Sequence, residues 1–73
     1  MVDYRWHDTD EQPKLHLIFD NFFSEELLVK VKNNTLKGYY YMVAYLNATE
    51  NIWFNPLDEE EIKDDILQWK YIE

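Results

Sequence analysis

His7 followed by Asp8, Asp10 and Glu11 brings imidazole and carboxylates together, the donor types that several divalent ions accept. The spacing lacks the rest of a metal pattern. No second histidine stands four residues on, and neither this stretch nor DEEEIKDD carries the central glycine of a calcium loop. A solvated acidic turn is the plainer expectation, with no metal and no cofactor. His16 fits a strand residue that faces solvent or a hydrogen-bond partner. Nucleophilic chemistry needs a Cys, Ser or Thr held against a base, and the chain has no cysteine and only Ser24 as a serine, ahead of Glu25 and Glu26 in what reads as a turn. General acid–base work needs one carboxyl desolvated beside another in a cleft, which long exposed acid runs do not provide. A single glycine rules out a phosphate-cradling loop, and zero cysteines rule out thiolate metal sites and disulfides. The expectation is a protein that is not an enzyme.

Charge narrows the partners. Fifteen acids against seven bases give a formal charge of −8, which disfavours nucleic acid and anionic membrane as direct partners. Tyr39, Tyr40, Tyr41 and Tyr45 beside Lys30 and Lys32 have the residue types of a base-stacking sheet, yet with this composition cross-strand packing is their plainer role. Asp58, Glu59, Glu60, Glu61, Asp64 and Asp65 are the candidate partner-contact acids. On a helix they would rise ~1.5 Å per residue. Duplex DNA presents one charge per ~1.7 Å. An interaction protein with a protein partner is therefore expected, with a DNA-mimic inhibitor of a nucleic-acid-binding enzyme as the alternative.

The elements that would position these groups come from alternation. Leu27, Val29 and Val31 alternate with Lys30 and Lys32, as in a strand with one wet face. In YYYMVAYL both alternating faces are apolar, which marks a central strand. Asn33, Asn34 and Gly38 supply a turn between the two. The expected strands are 26–33, 39–46, 51–54 and 66–72, with Leu67, Trp69 and Tyr71 on one side of the last. Asn55, Pro56 and Asp58 suit the start of a short helix through PLDEEEIKDD. KLHLIFDNFFSEE matches both strand and helix spacing and reads as extended or irregular, while Thr9 to Pro13 reads as a turn. Two N-x-T sequons, at Asn33 and Asn47, fall in turns.

With 73 residues, 47% apolar and 18% aromatic, the expectation is one small domain, 1–73, of β-rich α+β class: an antiparallel sheet of three to four strands plus one short helical segment. Trp6, Val29, Val31, Val43, Trp53 and Trp69 are the expected buried residues. No apolar run approaches the ~20 residues that cross a bilayer. MVDYRWHDTDEQ has no secretory pattern, so the expected compartment is cytoplasmic.

Trp6, the acid–proline turn ending at Pro13, Leu28 with Val29, Ala44 with Tyr45, Trp53, and Trp69 with Ile72 occur in order over nearly the whole chain. The pattern resembles a family of short phage and prophage proteins of unknown function, with a leading Trp, a V-L-V strand, an A-x-Y strand, a W and a closing W-x-x-I. The resemblance implies a small antiparallel sheet and a phage or mobile-element origin, with no activity. LHLIFDNFFSE is an insertion relative to that pattern.

A sheet with so few elements covers one face of its central strand. Tyr40, Met42 and Leu46, with Ala44 and Leu28, are then the candidate apolar interface, hidden in a homodimer or covered by LHLIFDNFF of the same chain.

Overall fold

The computed structural model describes residues 3–72. Seven strands follow one another: β1 (His7–Asp8), β2 (Leu15–Ile18), β3 (Asn21–Ser24), β4 (Leu27–Lys32), β5 (Tyr39–Asn47), β6 (Ile52–Phe54) and β7 (Asp65–Tyr71). Every pairing is antiparallel, in the order β1-β7-β4-β5-β3-β2, and β6 pairs with β5 outside that path. Among the described residues there is no helix, so none is long and apolar enough to cross a membrane.

The β4–β5 hairpin is the frame. Its loop closes with Asn33 N–H on the Gly38 carbonyl at 2.8 Å, while the Asn33 side chain accepts the N–H groups of Thr35 and Leu36. Lys32 therefore lies opposite Tyr39 and Leu27 opposite Ala44. Leu27, Val29, Val31 and Ala44 are fully buried and Trp69 nearly so, and Tyr40, Met42, Trp53, Ile62, Ile66 and Tyr71 pack against them.

The curl of the sheet has a local cause. β3 and β4 run along the same edge of β5, where Phe23 faces Asn47 and Leu27 faces Ala44. Four steps on one side meet three on the other, so one extra residue bulges and the ladder bends. Ser24 fills the gap: its Oγ accepts the Leu46 N–H at 2.9 Å and donates to the Glu25 carbonyl at 2.8 Å. The antiparallel sheet thus curls into a half-barrel.

Two expectations are corrected. The α+β class with three or four strands gives way to an all-β chain, because His7–Asp8 adds an edge strand and LHLIFDNFFS forms the β2–β3 hairpin. The helix after Pro56 is absent. Leu57 and Ile62, the only apolar residues from 57 to 65, stand five apart and give no helical stripe. The chain instead makes one turn, with Glu59 N–H on the Asn55 carbonyl at 2.7 Å. It then reverses through Glu59 at φ 57°, so that Asn55 N–H bonds the Glu60 carbonyl and Ile62 N–H bonds Trp53.

Burial also departs from expectation in places. Val29, Val31 and Trp69 are core, whereas Trp6 and Trp53 are half-buried and Val43 is exposed. The expected apolar interface of Tyr40, Met42 and Leu46 is the inward face of β5, with Leu46 buried and the other two packed on the core. In β7 the register shifts opposite Lys30 and Val31, so Ile66 faces the core with Trp69 and Leu67 is the extra residue.

Candidate functional site

The acidic turn at the front is built as a pin. The His7 ring is buried, stacked on Trp69 with centroids 4.3 Å apart and planes 16° from parallel. Nδ1 lies 3.2 Å from Glu11 Oε2 and Nε2 3.2 Å from the Asp3 carbonyl, so each ring nitrogen faces an acceptor. Trp69 Nε1–H donates to the Glu11 carbonyl at 2.9 Å, and Glu11 N–H to the Asp8 carbonyl at 3.0 Å. Arg5 closes the outside, donating to Asp3 through its backbone N–H and Nε. Those bonds, the backbone one foremost, hold the Asp3 carboxyl below its usual pKa range. Among the described residues no three His, Asp or Glu side chains converge as metal ligands.

The other chemistry-bearing residues are likewise engaged or dispersed. Ser24 is the bulge hydroxyl already described. His16 is exposed on β2, opposite Phe23. Both sequon asparagines hold turns: Asn33 as above, and Asn47 through bonds of its side chain to the Glu50 carboxylate and N–H, with Thr49 Oγ1 accepting the Phe22 N–H at 2.8 Å. Asp58, Glu59, Glu60 and Glu61 are exposed on the β6–β7 loop, where the Asp58 carboxylate accepts the Glu60 N–H. Asp64 is tied inward, accepting the Tyr40 hydroxyl at 2.8 Å, and Asp65 opens β7 opposite Lys32. Burial first, and the Asp64 carboxylate second, push the Tyr40 phenol above its usual pKa. These acids share a loop and a strand end, and no helix spaces them.

What the structure does assemble is the outer face of β7, β4 and β5. Register sets its rows: Lys70, Leu28 and Val43; Gln68, Lys30 and Tyr41; Asp65, Lys32 and Tyr39. Tyr39 and Tyr41 are 61% and 58% exposed. Trp6 comes across from the N-terminal side, its ring 5.7 Å from that of Tyr41 and 5.5 Å from Lys70 Nζ. Lys30 Nζ stands 4.9 Å over the Tyr39 ring. Three of the seven basic residues thus share one face with five aromatic or aliphatic side chains, Trp6, Leu28, Tyr39, Tyr41 and Val43. At its end Tyr4, Leu28, Val43, Lys70, Tyr71 and Ile72 line an open cleft of about 570 Å³.

Trp6, Val43 and Lys70 are the members that alternation alone misplaces or passes over. A usable signal exists in the turn: once Asn33 and Gly38 close the loop, Lys30 and Lys32 face Tyr41 and Tyr39, and residues directly opposite share a face. The lysines then mark Tyr39, Tyr41 and Val43 as the wet side.

No family model, no curated protein and no solved structure matches the chain.

Proposed function

We propose that this chain is a non-enzymatic, cytoplasmic interaction protein of phage or mobile-element origin that docks a protein partner on the outer face of β4, β5 and β7. One observation carries the reading: Tyr39, Tyr41 and Val43 stand exposed in adjacent rows with Trp6 and three lysines among them. Aromatic side chains offer large, stiff contact area, and an exposed apolar patch rimmed by charge is the usual form of an interface. The lysines suit a partner segment with acidic residues beside apolar ones. The non-enzymatic part is supported by the engagement of His7 and Ser24 in the fold itself. The mobile-element origin rests on the order of the tryptophan and strand landmarks.

The alternative, a DNA mimic acting through the acids from Asp58 to Asp65, is weakened by the loss of the helix that would have spaced them. A pull-down from host lysate separates the two. Tyr39→Ser with Tyr41→Ser is expected to lose the captured partner, while Asp58→Asn with Glu59→Gln and Glu60→Gln keeps it, and capture by the wild type persists as salt rises. Capture that survives the tyrosine changes, but fails in the acid variant and at high salt, would establish the mimic instead.

A further inference from the structure

The β2–β3 hairpin takes no part in that face, and its apolar side chains meet water. Leu17 is 63% exposed, Ile18 48%, Phe22 47% and Phe19 94%. β2 ends the strand order, so one side of its backbone has no ladder partner among the described residues. The turn decides which groups point that way. Ile18 and Asn21 close a two-residue loop in which Phe19 and Asp20 both have positive φ, so this closing pair is hydrogen-bonded. Bonded and non-bonded pairs alternate down an antiparallel hairpin. His16 therefore bonds inward to β3, and Leu15 and Leu17 direct their N–H and C=O groups to the open edge.

We propose that a second copy of this chain occupies that edge, its β2 antiparallel to the first, with His16 on the two-fold axis. The hydrogen bonding selects this register. It sets Leu15 opposite Leu17 of the second copy, and the reverse, so every outward backbone group of those leucines is bonded. The side chains agree, because an axis normal to the sheet keeps faces matched and joins Leu15, Leu17 and Phe22 of both copies into one apolar patch. A one-residue slip would put the two leucine faces on opposite sides. Charge agrees as well. The chain carries −8, yet from residue 14 to 24 the only formal charges are Lys14 and Asp20, which cancel. Two copies can meet there without opposing their acid runs. A two-fold contact uses up the edge on both partners and stops at the dimer.

The chain has no cysteine, so one introduced thiol reports cleanly. On the axis His16 would face its own counterpart as a non-bonded pair with Cα atoms ~4.5 Å apart. That separation is within disulfide reach. His16→Cys is expected to cross-link into a dimer under mild oxidant at micromolar concentration, while Lys37→Cys in the exposed β4–β5 loop does not. Sedimentation is expected to show the 9.0 kDa chain doubling in mass with concentration. Leu17→Lys, with its circular dichroism unchanged, should raise the dissociation constant ~10-fold or more by placing a charge on the edge. A wild type that stays monomeric at several hundred micromolar, a Leu17→Lys variant that dimerises as well as wild type, or His16→Cys linking no faster than Lys37→Cys overturns the proposal.

Discussion

The β2–β3 turn is expected to be improvable, and by a calculable amount. Phe19 and Asp20 sit at φ 47° and 67°, the left-handed values that a two-residue hairpin loop demands and that Asn-Gly supplies best. An ordinary L residue pays roughly 1 kcal/mol or more for that backbone. Phe19, 94% exposed, has almost no burial to lose. Replacing the pair by Phe19→Asn with Asp20→Gly relieves both positions, and the extra freedom of glycine in the unfolded chain gives back ~0.5–1 kcal/mol. The net gain is ~1 kcal/mol, which in a domain of this size raises the melting temperature by ~4–8 °C. Thermal unfolding of the double variant and wild type, followed by tryptophan fluorescence at concentrations where both are monomeric, measures it. An unchanged or lower melting temperature would refute the reasoning, since it would mean that Phe19 holds a contact in the single chain worth as much as its backbone costs.

Trp69→Phe should cost ~2–4 kcal/mol in urea unfolding, because it shrinks a core side chain, loosens the His7 stack and leaves the Glu11 carbonyl without its indole donor. His7→Ala should free the N-terminal strand before the rest of the sheet, seen as faster proteolysis within residues 3–12 and a red shift of Trp69 emission. Tyr40 and Tyr45 are both held above the 10.0 of a free tyrosine, chiefly by burial. Their folded-state pKa values exceed the unfolded ones, so the stability they contribute is complete below pH 10 and falls as pH climbs through the raised values. Tyr40→Phe with Tyr45→Phe should flatten that alkaline loss in denaturant titrations from pH 9 upward. An equally steep decline in the double variant would assign it to other groups.

Legibility in the sequence tracked how local each cause is. The β4–β5 hairpin was readable because alternation in LLVKVK and a turn built on Asn33 fix both period and register within twenty residues. Both faces of YYYMVAYL are apolar, so period alone could not say which is wet, and Tyr40, Met42 and Leu46 proved to be the inner set. The register shift at Leu67 is equally silent, since ILQWKY alternates without a break while the partner strand imposes one. LHLIFDNFF hid its turn because Phe and Asp occupy positions that usually advertise themselves with Gly or Asn. The helix expected after Pro56 failed for a reason partly open to reading, since Leu57 and Ile62 give no helical stripe, and partly long-range, since Ile62 is drawn to the core while Asn55 bonds Glu60 and folds the acids back on β6. The outer face was half legible, its lysines and tyrosines visible and Trp6 not, because that ring arrives from residues far away in the chain.

β7 lies between β1 and β4, although it is the last strand of the seven to be synthesised. Until residues 65–71 have left the ribosome, β4 has one open edge and Leu27, Val29 and Val31 lack the cover of Trp69, while His7 has nothing to stack on. At ~5–20 residues per second the wait after β4 emerges is a few seconds. During that interval the nascent chain displays an apolar strand ready to pair with any other strand that passes, so chaperone dependence and inclusion-body formation should respond to how fast residues 33–71 follow β4 out of the ribosome. The finished sheet, with that edge closed, should not.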